Sequence, residues 1–313
     1  MHKAIDTYLA ELIPLVHTRG LHLLASQELP YGIQLTLGRD SKQLKLNIYY
    51  SDKRGLSTVI NPSKEKALVE LMQHILNLAP KDQTTPERLH HWNAWIGSDE
   101  CGKGDYFGAL VVTAFYADKT SEVELRRLGV CDSKKLTDSQ IEKIAKTIYS
   151  QFKGCFETIL LKPEAYNKLY GDMSRQGKNL NDLLAWLHSK AIEAVNARQS
   201  VVDGALIDQF SKSRKVELSL KGKLPLLNVI ERTGAEQDIA VATASILSRY
   251  QFLQHHKEMS EHYDIAFPKG ATSVIKTGRE FIKTYSYKRL YEVAKLHFKT
   301  TAQLTQQDLL VDL

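Results

Sequence analysis

Apolar residues recur at helical spacing over residues 3–18, where Ile5, Tyr8, Leu9, Leu12, Ile13, Leu15 and Val16 fall on one side. Pro14 lies inside this pattern and is expected to kink or end the helix. After Gly20 the texture turns to β. Residues 31–37, 44–50 and 56–60 alternate or run β-rich, parted by turn segments at 38–41 and 51–55. Ser63 is placed to cap a second helix from about 64 to 78, with Ala67, Leu68, Leu71, Met72 and Ile75 on one face. Residues 79–86 are polar and carry two prolines, the texture of a linker. The pattern therefore predicts a small helix–meander–helix domain over 1–79 and a linker over 80–87.

A second domain is expected over 88–302. Strands are predicted at 95–99 and 109–116, then a helix at 138–152, where Thr137 and Gln140 have capping-box spacing. A short apolar strand follows at 156–161, and Asn179-Leu180-Asn181 opens a strong helix over 183–198. Residues 201–207 (VVDGALI) form a nearly continuous apolar run ending in Asp208, as a strand covered on both faces would. Residues 240–252 read as a helix of small residues able to press against a sheet, helices then dominate, and 303–313 reads as a loosely held tail. Strands first, then strand–helix alternation, predicts an α/β layer domain with a mixed sheet flanked by helices.

Composition narrows the class. Of 313 residues, 43% are apolar and 25% charged, as in ordinary globular proteins. No uninterrupted apolar run is long enough to cross a bilayer, and Asp6 and Glu11 fall where a signal peptide would need its apolar centre. Cys101, Cys131 and Cys155 make neither a disulfide framework nor a CxxC metal site, so a reducing cytoplasm is expected. The net charge of +6 suits a nucleic-acid partner. Between Pro268 and Thr300 eight Lys/Arg face only Glu280 and Glu292, interleaved with Phe281, Tyr285, Tyr287, Tyr291 and Phe298. Such a stretch can track a phosphate backbone, or be amphipathic helices with aromatics inward.

The chemistry concentrates in Gly97-Ser98-Asp99-Glu100-Cys101-Gly102-Lys103-Gly104-Asp105-Tyr106-Phe107-Gly108. Adjacent carboxylates repel unless a cation lies between them, and hard divalent ions take carboxylate oxygens. An isolated Asp-Glu pair also fits a solvated hairpin end. The Gly102-Lys103-Gly104 turn shifts the balance, since glycines expose N–H groups and admit a sugar or phosphate. Phosphoryl chemistry with two ions needs three or four carboxylates from separate elements. Asp208 is the best third, at a strand end where α/β ligand sites gather. Asp203, five positions earlier, should point to the opposite face. For a fourth, Glu236 and Asp238 both precede the small-residue helix, and either could instead cap it. Asp132-Ser133-Lys134-Lys135 reads as a helix entrance or a phosphate contact through Ser133 and Lys134. His188, His255, His256, His262 and His297 lack metalloprotease spacing and read as surface or packing residues.

Six segments together resemble bacterial ribonuclease HIII, a type 2 ribonuclease H: Asp99-Glu100-x-Gly-Lys-Gly-Asp-Tyr-Phe-Gly, Asp132-Ser-Lys-Lys-Leu, Asn179-Leu-Asn-x-Leu-Leu-Ala-x-Leu-His, Asp208-Gln-Phe, Val241-Ala-Thr-Ala-Ser-Ile-Leu-Ser-Arg and Ala294-Lys-Leu-His-Phe-Lys. They occur in family order over roughly 95–300. The resemblance implies a ribonuclease H-like catalytic domain and, over 1–79, a substrate-binding domain similar to the TATA-binding-protein fold. It implies Mg²⁺- or Mn²⁺-dependent hydrolysis of the RNA strand of RNA–DNA hybrids, leaving 5′-phosphate and 3′-hydroxyl ends. Carried over by position, the acids are Asp99, Glu100, Asp208 and Glu236, and Gly102, Lys103 and Gly104 form the loop that contacts ribose. Lys103 and Ala109 depart from the family pattern, without removing an acid. Lys42, Lys45, Lys53 and Arg54 of the small domain are expected to hold flanking backbone. No membrane and no obligatory protein partner is implied. Two rival readings are ribonuclease HII-like cleavage at single ribonucleotides in DNA, and non-catalytic binding of hybrids.

Overall fold

A computed structural model of the protein describes residues 2–51, 55–78, 89–211 and 213–305. The chain divides into two compact units, Met1–Leu89 and His90–Leu313. In the first, helix α1 (Lys3–Thr18) precedes strands β1 (His22–Leu29), β2 (Gly32–Arg39), β3 (Lys42–Ser51) and β4 (Gly55–Ile60), and helix α2 (Lys66–Leu78) follows. The strands form an antiparallel sheet in chain order. Alternation decides its two faces. Ile33, Leu35 and Leu37 of β2 pair with Ile48, Leu46 and Leu44 of β3, and all six are buried against Leu12 and Val16 of α1 and Met72 of α2. The opposite face is polar: Gln34 Nε2 donates to Asn47 Oδ1 at 2.8 Å, and Asn47 Nδ2 to the Tyr49 hydroxyl at 2.9 Å.

Pro14 does not end helix α1, which runs on to Thr18. Ala10 and Pro14 are exposed, so the Ala10 carbonyl freed by the missing N–H faces water, while buried Leu12 and Val16 hold the helix on either side. Strand β1 carries no alternating pattern because it is an edge strand in which no residue is fully buried. The expected linker at 80–87 lies outside the described residues, as do Lys53 and Arg54.

The second unit carries β5 (Ala94–Cys101), β6 (Leu110–Asp118), α3 (Lys119–Arg127), α4 (Asp138–Gln151), β7 (Phe156–Leu161), α5 (Pro163–Arg175), α6 (Leu180–Asn196), β8 (Gly204–Asp208), α7 (Lys215–Lys221), β9 (Asn228–Arg232), α8 (Ile239–Tyr263), α9 (Ile275–Tyr285) and α10 (Lys299–Thr305). The five strands lie in the order β7-β6-β5-β8-β9. Pairings β7–β6 and β6–β5 are antiparallel, β5–β8 and β8–β9 parallel, which makes the sheet mixed as expected. The Thr137–Gln140 capping box starts α4. Trp95, Phe115 and Ala117 pack on one face with α3, α4 and α8; Ile96, Ala114, Ala205 and Ile207 pack on the other with α6 and α7. Among the described residues no helix is long and apolar enough to cross a membrane.

The close fit of α8 on the sheet rests on Gly97. A Cβ there would lie 2.2 Å from the Val241 nitrogen and 2.3 Å from the Ala240 carbonyl carbon, both backbone atoms at the start of α8. Gly97→Ala is therefore expected to cost about 3 kcal/mol, the upper range for overpacking. Calorimetry should read this as a Tm lowered by about 10 °C; an unchanged Tm would mean that α8 can simply move away.

Of the tail expected over 303–313, residues 306–313 lie outside the described residues, and 303–305 belong to a packed helix. Helix α10 extends to Thr305, and Leu304 is buried against Gly278 of α9. The basic aromatic stretch divides: Phe281 and Lys295 are buried, whereas Tyr287 and Tyr291 stay exposed. Lys295 Nζ donates to the Gly108 carbonyl at 2.7 Å and ties down the glycine-rich segment after β5.

Candidate active site

Parallel pairing of β5 with β8 sets the register Ser98↔Ile207, so one residue further along both strands deliver Asp99 and Asp208 at the same sheet end. Alternation sends both toward the α8 side, where a 3-10 turn, Ala235–Gln237, brings in Glu236. Ser98 and Glu100 have the other parity and face α6. A cavity of about 360 Å³ results, lined by Asp99, Glu100, Asp208 and Glu236, by Gly102, Lys103 and Gly104, and by Ser133, Lys134, Ser245 and Arg249. The acids Asp99, Glu100, Asp208 and Glu236, the Gly102–Gly104 turn, Ser133 and Lys134, all singled out in the sequence, thus line one cavity.

Asp238 lies elsewhere. Its Oδ1 accepts from the Ala240 and Val241 N–H groups that open α8 and from Trp95 Nε1, while Oδ2 faces His90 Nε2 at 3.2 Å. Asp203 accepts from Asn93 and Ala94 N–H and secures the start of β5, at the opposite end from the cavity. Ser133 is buried with its hydroxyl on Ser245 Oγ at 2.8 Å, so it anchors the 132–135 turn on α8. The exposed Lys134 has its Nζ 3.7 Å from Glu236 Oε1.

The acids respond to one another. Burial, then the charge of neighbouring Glu100, pushes the Asp99 carboxyl up to about 8; the Ser245 hydrogen bond opposes this. Burial also acts to raise Glu100, but hydrogen bonding from His188 and the Lys103 ammonium outweigh it and hold Glu100 below the ordinary range. Asp208 is raised by burial and then by the Glu236 charge. Glu236 Oε2 is buried and has no hydrogen-bond partner among the described residues. Mutual repulsion together with an orphaned carboxylate oxygen is the situation that a hard divalent cation relieves. Among the described residues no three acid, histidine or cysteine side chains stand close enough to enclose an ion as they are, so the fit rests on this donor chemistry.

The glycine turn is of two kinds. Gly102 has φ +90° and its Cβ would meet the Ala109 carbonyl oxygen at 2.2 Å, so the fold demands glycine. At Gly104 a Cβ would meet nothing within 4 Å. The fold leaves that position open, and a bare backbone there suits close approach by a ligand.

His188 is the residue that sequence reading missed. It is fully buried, with Nε2 3.2 Å from Glu100 Oε2 and Nδ1 2.7 Å from Ser98 Oγ. A lone histidine on a helix reads as packing, and only its place at the end of the Asn179–His188 segment singled it out.

The family model described as Ribonuclease HII matches residues 96–301. A curated relative, Ribonuclease HIII of Protochlamydia amoebophila (strain UWE25), is 39% identical over 208 residues, covering 66% of this chain and 66% of its own length. Ribonuclease HIII of Chlamydia felis (strain Fe/C-56) is 40% identical, covering 66% and 67%. The matched stretch thus spans about two thirds of these relatives. Among solved structures, Bst-RNase HIII in complex with Mn²⁺ is similar with a TM-score of 0.64 and 25% identity, over 96% of this chain and 97% of that one. Aquifex aeolicus RNase H3 is similar with a TM-score of 0.53 and 26% identity, over 94% and 97%.

Proposed function

The chain belongs to the type 2 ribonuclease H family, on its ribonuclease HIII branch, and from that membership we propose that it is a metal-dependent endonuclease cutting the RNA strand of RNA–DNA hybrids. The observation that carries the reading is the convergence of Asp99, Glu100, Asp208 and Glu236 on one cavity beside the Gly102–Gly104 turn. In this reading the four carboxylates hold two divalent ions, Mg²⁺ or Mn²⁺. When bound, such ions neutralise the scissile phosphate and lend acidity to the attacking and leaving oxygens. The ends left are a 5′-phosphate and a 3′-hydroxyl. Backbone groups of the glycine turn face the ribose, whose 2′-hydroxyl distinguishes RNA from DNA. The exposed Lys134 adds positive charge for the phosphate backbone, without sequence preference, whereas Arg249 contributes less, since it is paired with Asp138.

The unit Met1–Leu89 is assigned substrate holding. Its polar sheet face, with the Gln34–Asn47–Tyr49 chain, suits groove contacts that read shape, and Lys45 adds charge on the same face. Lys42 contributes less, since Glu65 lies 3.3 Å from its Nζ.

The test is a substrate panel: a hybrid, the matching DNA duplex and a DNA duplex carrying one ribonucleotide, each with Mg²⁺, Mn²⁺ or chelator. The hybrid should be cut at many positions with either ion and the DNA duplex left intact. Cutting only at the single ribonucleotide would favour the ribonuclease HII-like rival, and an uncut hybrid would reject the proposal. In the same panel Gly104→Ala should melt like wild type yet cut the hybrid at least about tenfold more slowly, because displacement at a reacting centre is costly.

A further inference from the structure

We propose that His188 is a positioning residue that sets the Glu100 carboxylate in its working orientation before any cation arrives. The proposal rests on Glu100 being a metal ligand in the reading above. Four contacts carry it. His188 Nε2 lies 3.2 Å from Glu100 Oε2, and since a carboxylate only accepts, that nitrogen is the donor. Nδ1 lies 2.7 Å from Ser98 Oγ, which also lies 2.9 Å from the Thr113 carbonyl oxygen and so is fixed to the sheet. The imidazole stacks on Phe210, with centroids 5.2 Å apart and planes 17° from parallel. Lys103 Nζ stands over the same Phe210 ring at 5.2 Å and reaches Glu100 Oε1 at 3.5 Å.

The four side chains close a loop around Glu100. A glutamate has three rotatable bonds, and left alone its carboxylate would sample several positions. Here one oxygen is fixed by a ring that is wholly buried, bonded at both nitrogens and stacked. The other oxygen meets Lys103, whose side chain is one third exposed and free to swing away. One oxygen is thus anchored and the other available. The arrangement follows from strand parity, because Ser98 and Glu100 lie two apart on β5 and both face α6. Phe210 follows Asp208 by two residues, so the same support borders two of the acids. Partners that orient a ligating carboxylate typically govern metal affinity by about 10–100-fold.

The test is calorimetric titration of the metal-free full chain with Mn²⁺ alone. An Asn amide reproduces the Nδ1 position and can still reach Ser98, but cannot reach Glu100; a Gln amide reproduces Nε2. His188→Asn should weaken Mn²⁺ binding by about 10–100-fold, and His188→Gln should recover most of that loss. Both change the same packing, so their metal-free melting temperatures should fall alike. Equal weakening in Asn and Gln variants, or wild-type affinity in the Asn variant, would overturn the proposal. If His188→Asn fails to fold, Ser98→Ala decides, since it removes only the hydroxyl that fixes the ring. It should weaken binding several-fold, and an unchanged affinity overturns the proposal. Glu100→Gln separates the two readings. If it leaves Mn²⁺ affinity intact, the ligand assignment of Glu100 fails; if it abolishes binding while His188→Asn keeps wild-type affinity, only the positioning role fails.

Discussion

Asp99→Asn is expected to lower cleavage of an RNA–DNA hybrid by at least about 10³-fold, equivalent to about 4 kcal/mol, while hybrid affinity changes little. The substitution keeps shape and the hydrogen bond from the Glu100 N–H, 2.8 Å from Asp99 Oδ1. It replaces a buried carboxyl that burial and the charges of Glu100 and Asp208 already keep protonated near neutral pH, so no favourable charge is lost from the fold. Metal-free stability should therefore hold or rise even as activity disappears. That opposite movement separates an acid kept for chemistry from one kept for the fold, since a structural acid would lose both together. Single-turnover cleavage, filter binding and a melting curve on one preparation give the three numbers. Unchanged turnover in this variant would reject the metal-site reading.

Divalent-metal affinity should fall about tenfold for each pH unit below about 8, or about 100-fold between pH 7.5 and 5.5. The sign follows from Asp99. Burial and the neighbouring charges of Glu100 and Asp208 push its carboxyl up to about 8, so in the fold it keeps its proton across the neutral range. An unfolded aspartate has lost that proton by about pH 4. The folded state therefore binds more protons between about pH 4 and 8, and its metal-free stability declines as pH rises through that window. A cation needs the carboxylate, so its uptake releases the proton. Glu100, held low by His188 and Lys103, stays ionised throughout and adds no slope. Titration with Mn²⁺ at pH 7 in two buffers of different ionisation enthalpy should report close to one proton released. An affinity flat from pH 5.5 to 8 would contradict the assignment.

Much of the fold is legible in the apolar spacing. Helix α4 shows its cap in Thr137 and Gln140, and the β8 apolar run announces a strand covered on both faces. What stays hidden lacks a periodic signal for a physical reason. Helix α3 buries only Leu125, so its sequence reads as loop. Strand β9 is five residues with a single buried side chain. Helix α8 runs to Tyr263, beyond its small-residue half, because its later turns are polar and set by contacts with the C-terminal region. At the site, the acids stand out as strand-end residues. Choosing between Glu236 and Asp238 takes the three-dimensional fact that Asp238 is spent on the α8 N–H groups, Trp95 and His90. The contact of His188 with Glu100 depends on α6 packing against β5, which no local spacing encodes.

The most direct measurement is anomalous diffraction from manganese in crystals of the full chain bound to an uncleavable RNA–DNA hybrid. The account predicts two manganese peaks about 4 Å apart, both within reach of Asp99, with Glu100, Asp208 and Glu236 completing their ligands and the scissile phosphate against them. Manganese bound away from Asp208 and Glu236, or a hybrid whose scissile phosphate lies outside the cavity, would contradict it.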